Sequence, residues 1–184
     1  AYLFFLLIFL NAKAQILGCT DPLSKNYNPK ATGNDGSCLY KNKKIKPLFS
    51  KVLDDKIQET SGLIYWENRF WTMNDDTDIA IHALDTLSGE ILESFELKKT
   101  VNRDWEEISQ DENYLYVGDI GNNVNANSKD LHILRVEKSS LLARKPIIDT
   151  IYFSYENQTD FSQMKSNQTN FDAEAFVVSK DSIF

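Results

Sequence analysis

Asp104 and Glu106, and again Asp172 and Glu174, stand two residues apart in stretches that read as strands. Alternate residues of a strand share a face, so the members of each pair point the same way. Glu59 holds a similar place in an earlier stretch. Carboxylates brought to one spot repel one another and raise each other's pKa unless a cation sits among them. Ca²⁺, which takes about six to eight oxygens, meets that demand, and Asn102, Asn122 and Asn123 offer neutral oxygens nearby. Glu59, Asp104, Glu106, Asp172 and Glu174 are therefore candidate metal ligands. The competing role for such acids is to accept hydrogen bonds from backbone amides of a neighbouring element.

Nothing else in the chain spells out a reaction. His82 and His132 each lie inside a strand pattern with no second histidine nearby, which suits a structural role. Ser61 lacks the G-x-S-x-G setting of a nucleophile elbow. Gly118-Asp119-Ile120-Gly121-Asn122-Asn123 has neither the Lys-Ser/Thr pair nor the following helix of a phosphate-binding loop. Catalytic residues are left unassigned.

A second group of oxygens lies between Cys19 and Cys38, in a stretch of Asp, Asn, Pro and Gly too polar to build a core. In an exported chain with only these two cysteines, a disulfide between them is the simplest closure. It would restrict the unfolded loop by about 3 kcal/mol in the chain-entropy treatment. Asp21, Asn26, Asn28, Asn34 and Asp35 place short oxygen side chains on a turning backbone, as Ca²⁺ prefers. The alternative is that these side chains cap their own loop.

The elements that must position the first group are strands. Apolar alternation recurs at Gly62–Tyr65, Arg69–Asn74, Ile79–Asp85, Ile91–Leu97, Ile108–Gln110, Tyr114–Asp119, Leu131–Glu137, Thr150–Tyr155, Ala173–Ser179 and Ser182–Phe184. Lys138–Ala143 alone suits a helical turn, stopped before Pro146. An internal repeat narrows this all-β class. Asp104-Trp105-Glu106-Glu107-Ile108, followed by Asn113–Tyr116, aligns with Asp172–Phe176, followed by Asp181–Phe184, at an offset of 68 (172 − 104). A looser copy begins at Glu59, aligned with Glu106 at an offset of 47 (106 − 59). Repeats of roughly 40–50 residues, each an acid followed by a strand, a tight turn and another strand, predict propeller blades. Their inner strands would carry the acids into a central channel, and the polar stretch 156–170 would be an insertion. Trp66, Trp71 and Trp105 are expected to pack between blades.

Two resemblances bear on this. Gly18-Cys19-Thr20-Asp21-Pro22, Asn26-Tyr27-Asn28-Pro29, Ala31 and Asp35-Gly36-Ser37-Cys38 resemble the short GCTDP…NYNP…DDGSC modules of secreted proteins, common in bacteria that export through the type IX system. That likeness implies an extracellular accessory module, and Asn34 departs from it where a second Asp is usual. Glu59–Leu63, Phe70–Asp75, Asp85–Glu90, Asp104–Ile108, Tyr116–Asn123 and Phe171–Phe176 are together similar to secreted bacterial six-bladed propellers of TolB-like and phytase-like shape. The stretch 123–129 departs from them where relatives carry an Arg. This second resemblance implies a fold rather than an activity.

Length, composition and address complete the expectation. The 184 residues are 42% hydrophobic and 12% aromatic, which excludes disorder as the main state. A net charge of −7 argues against nucleic acid and anionic membranes as partners. Residues 1–10, AYLFFLLIFL, span only about 15 Å as a helix, too short for a membrane span. With Ala12-Lys13-Ala14 they read as the end of a secretory signal, the mature chain starting at Gln15. The expected order is a signal remnant 1–14, a module 15–40, a lysine-rich linker 41–48, and from 49 about three blades of an incomplete propeller cut short at the C-terminus. The expected function is a secreted, monomeric binder of an extracellular ligand or protein partner, with Ca²⁺ in its funnel. The alternative is a calcium-dependent hydrolase of phosphoesters or lactones.

Overall fold

The computed structural model describes residues 14–184. The expected signal segment lies, but for Ala14, outside the described residues. The chain divides into two compact units, with the boundary between Phe49 and Ser50.

The first unit is held by a disulfide and by turns. Cys19 and Cys38 are bonded, and Cys19 is buried. The chain closes on itself through a parallel bridge between Leu17 and Gly33, and through Asn28 N–H donating to the Cys19 carbonyl at 2.9 Å. With so little apolar material inside, the covalent link and these bonds stand in for a core.

The second unit is all-β apart from one short helix and a 3₁₀ turn. β1 (Thr60–Trp66), β2 (Arg69–Asn74), β3 (Ala80–Leu84) and β4 (Ile91–Glu96) form a four-stranded antiparallel meander. β5 (Trp105–Gln110), β6 (Tyr114–Asp119), β7 (His132–Glu137) and β8 (Ile148–Tyr152) form another, with α1 (Lys138–Leu142) between its last two strands. β9 (Val178–Ser179) and β10 (Ser182–Ile183) make a third, two-stranded hairpin. Turn chemistry sets the joints. Glu67 and Asn68 both take positive φ between the paired Trp66 and Arg69, as a two-residue hairpin turn demands. Asp85 accepts from the amides of Leu87 and Ser88 before Gly89 at φ 74°, bending β3 into β4.

Strand alternation explains where the core lies. Leu115 and Val117 of β6 join Trp71, Met73, Ile81, Leu97, Trp105 and Ile108 in one buried cluster between the two large sheets. Tyr116, pointing the other way, joins Ile120 and Ile133 in a second cluster that Ala173, Phe176 and Val178 cover. The second sheet is thus covered on both faces, which is why β6 is buried almost throughout. Each large side chain buried this way contributes about 1.5–3 kcal/mol.

Two inner boundaries differ from the sequence expectation. β1 and β5 begin at Thr60 and Trp105, not at Gly62 and Ile108, because both pass through a β-bulge among polar residues that breaks apolar alternation. Ala173–Ser179 was expected as one strand, yet only its end pairs, Val177 bonding Phe184 in both directions at 2.9 Å. Phe176 packs instead on the second sheet, over Gly118.

Hairpin register refines the internal alignment. Leu63 faces Thr72 and Ile108 faces Val117, and 108 − 63 and 117 − 72 both equal 45. Glu59 therefore corresponds to Asp104 and Ser61 to Glu106, an offset of 45 rather than 47. Gln110 faces Leu115 and Val178 faces Ile183, so 178 − 110 and 183 − 115 both give 68.

Candidate functional site

β1 and β5 lie side by side, and their approach rests on Gly62. A Cβ there would fall 2.4 Å from the Ile108 backbone nitrogen. Ser61 Oγ donates to the Glu106 carbonyl at 2.7 Å and Gln110 Nε2 to the Tyr65 carbonyl at 2.8 Å. The next junction uses the acids themselves. The Asn122 backbone N–H donates to Asp172 Oδ1 at 2.6 Å, and Asn122 Nδ2 to the Phe171 carbonyl at 2.8 Å. These bonds bring the segments bearing Asp104, Glu106, Asp172 and Glu174 alongside one another, but no three of these four carboxyls bring their oxygens within 4.8 Å of one another.

The four carboxyls form a row. Asp104 is within hydrogen-bonding reach of Glu106, Glu106 of Glu174, and Glu174 of Asp172. Loss of water on burial, then the charges of Asp104 and Glu174, push the Glu106 carboxyl up to about 8. Burial raises Asp104 and Glu174 as well, with the neighbouring carboxylates adding to the effect. Gly121 lets the row sit against the backbone: a Cβ there would lie 2.1 Å from Asp104 Oδ2 and 2.7 Å from Glu106 Oε1.

Glu59 belongs to an adjoining cluster. Among the described residues, the acids whose oxygens all come within 4.8 Å of one another are Glu59, Asp75 and Asp76. The charge of Asp76, then that of Asp75, raises Glu59. Asp75 also acts on Asp104, which connects the cluster electrostatically to the row. Asp75 and Asp76 escaped the sequence reading because they follow β2 in a turn, where acids are ordinary. Only the register, which sets Thr60 opposite Asn74, carries them to Glu59.

Two of the three proposed neutral ligands, Asn102 and Asn122, have their side chains engaged elsewhere. Asn102 Oδ1 accepts from the Trp105 amide, and its Nδ2 donates to the carbonyls of Asn74 and Asp78. Asn122 Oδ1 accepts from the Ser128 amide, while the Asn123 carbonyl accepts from Asn167. Both buried amides knit loops together, as polar groups inside a fold must.

In the first unit, the oxygens at the expected positions serve turns. Asp21, Asn28, Asn34 and Asp35 each accept from a backbone amide two residues on, at 2.8–3.0 Å. Asn26 brackets the loop end, accepting from the Leu39 amide and donating to the Ser37 carbonyl. Asp21 also accepts from the Tyr40 hydroxyl, and that bond holds its carboxyl below the usual range.

The remaining charges near the row are paired elsewhere. Asp119, 2% exposed, is held by Arg103 Nε at 3.1 Å, and Arg103 also bridges to Asp130. His132 Nδ1 lies 2.9 Å from the Asp130 carbonyl. Lys138 is buried with its ammonium on Gln110 and the Asp111 carbonyl, over the Trp66 ring. The indole nitrogen of Trp71 donates to the Trp66 carbonyl across the first hairpin. No helix among the described residues is long and apolar enough to cross a membrane. Compared with known protein families, with curated proteins and with solved structures, the chain matches none.

Proposed function

We propose that this chain is a secreted β-propeller protein whose acidic mouth binds Ca²⁺ and through it an extracellular ligand or protein partner. The observation that carries the reading is the row Asp104–Glu106–Glu174–Asp172, with the Glu106 carboxyl pushed up to about 8. A divalent cation among the carboxylates would relieve that repulsion in place of the proton. Glu59, Asp75 and Asp76 extend the same field. Supporting the propeller are two four-stranded meanders, a third hairpin that keeps the register of β5–β6, and inner strands β1 and β5 lying side by side. Supporting an extracellular address is the Cys19–Cys38 disulfide, a bond that persists in oxidising compartments.

Isothermal titration of the purified chain with CaCl₂ at pH 7.5 tests the cation. Saturable binding at or below millimolar Ca²⁺ is expected, weakened at least tenfold in an Asp104→Asn/Glu174→Gln double variant. Absence of heat and of any thermal stabilisation at 10 mM Ca²⁺, about ten times the weakest affinity expected of an extracellular calcium module, would remove the reading.

A further inference from the structure

Two side chains of the first large sheet and one from the loop before β3 form a relay. His82 on β3 and Ser94 on β4 are cross-strand partners, and His82 Nδ1 lies 2.9 Å from Ser94 Oγ. The other ring nitrogen, Nε2, is 2.9 Å from Asp78 Oδ2. The imidazole is wholly buried, so its two polar contacts fix its tautomer. Nε2–H donates to the Asp78 carboxylate, which leaves Nδ1 to accept from the serine hydroxyl. Asp78 is itself oriented, since its Oδ1 accepts from the Ala80 amide at 2.9 Å and its carbonyl from Asn102 Nδ2 at 2.7 Å. Nucleophile, base and orienting carboxylate each lie within the reach that proton transfer requires. The ring is turned relative to the serine proteases, with Nδ1 rather than Nε2 toward the serine.

Ser94 and Asp78 open on a cavity of about 550 Å³, a size suited to small ligands. Ile79, Phe95 and Leu141 give it an apolar wall, and Lys56, Lys98, Glu96 and Arg144 stand around it. Arg144 is paired with Glu93, and the cations of Lys56 and Lys98 outnumber the acid of Glu96. Lys56 Nζ comes within 3.5 Å of Ser94 Oγ, where a cation favours an alkoxide and the oxyanion that follows from it.

We propose that Ser94, His82 and Asp78 form a nucleophilic relay in this cavity that hydrolyses small carboxylic esters bearing a negative charge. Ser94 Oγ bonds to the ester carbon while its proton passes to His82 Nδ1. The carbonyl electron pair moves onto oxygen beside Lys56. Collapse breaks the bond to the leaving alcohol, which departs with the proton from Nδ1. Water repeats the sequence on the acyl-serine, giving the free acid and restoring Ser94.

The purified full chain is treated with a fluorophosphonate probe, mapped by peptide mass spectrometry, and assayed on 4-nitrophenyl hydrogen succinate and 4-nitrophenyl acetate. Expected is a label on Ser94, absent in Ser94→Ala. Its rate should fall about 100-fold in His82→Gln. Asp78→Asn, at a partly exposed position, should show a comparable loss with an unchanged circular dichroism spectrum, so the test stands even where the His82 variant does not fold. The succinate ester should turn over faster than the acetate, and Lys56→Ala should remove that preference. The relay is overturned if Ser94 reacts no faster than Ser88, or if Asp78→Asn reacts at the wild-type rate. Equal turnover of the two esters overturns the charged-substrate assignment.

Discussion

The α-carbon of Gly62 faces the backbone nitrogen of Ile108 so closely that a single added methyl carbon would lie 2.4 Å from it. This is the point at which β1 meets β5, and a backbone atom cannot step aside as a side chain can. Gly62→Ala should therefore cost about 1–3 kcal/mol, the range of overpacking in a tight interior. Urea denaturation followed by tryptophan fluorescence measures it, and a loss under ~0.5 kcal/mol would mean the two strands are not locked together.

Glu106 gives a pH dependence with a definite sign. Its folded carboxyl titrates at about 8 against a usual 4.5, so the folded state holds a proton that the unfolded chain releases. The associated stability is fully present below about 4.5 and is lost as pH rises through about 8. Measured in EDTA, the urea midpoint of wild type should fall between pH 5 and 8.5 more steeply than that of Glu106→Gln. At pH 8.5 the variant should be the more stable of the two.

Gly121 tests how the row is held. A methyl group there meets the ends of two flexible carboxylates, 2.1 Å from Asp104 Oδ2 and 2.7 Å from Glu106 Oε1, and both can swing away. Gly121→Ala should thus leave stability within about 1 kcal/mol of wild type while weakening Ca²⁺ at least tenfold. Chemical denaturation and calorimetric titration on the same preparation separate the two effects.

Arg103 is the cation that neutralises the buried Asp119. Arg103→Ala strands that carboxylate inside the fold and should cost about 2–3 kcal/mol. The double variant Arg103→Ala/Asp119→Asn should recover part of the loss, and a double-mutant cycle reads the coupling.

Reduction addresses the first unit. Breaking Cys19–Cys38 frees a loop whose closure contributes about 3 kcal/mol, in a unit with almost no core to compensate. Hydrogen exchange should show the amides of Gly18, Lys25 and Asn28, hydrogen-bonded in the oxidised form, losing protection on reduction.

Local pattern was enough to locate most of the strands, because apolar alternation and turn residues report directly on one-sided burial. Arg69–Asn74 and Tyr114–Asp119 carry that signal, and the structure has strands over those residues. The Asp104/Glu106 and Asp172/Glu174 pairs were visible as acids, but the strand faces expected to carry them were not borne out: Asp104 precedes β5, β5 is bulged at Glu106, and Asp172 and Glu174 lie outside any strand. Tertiary structure decided the rest. Asp75 and Asp76 join Glu59 only because β2 folds back on β1, and turn acids look alike in every sequence. Asn102 and Asn122 read as ligands until the fold supplied backbone groups that claimed them. His82 read as an isolated histidine because Asp78 and Ser94 reach it from a loop and from the facing strand. Sequence determines which residues share a face of their own strand, whereas register and packing across strands determine which faces meet.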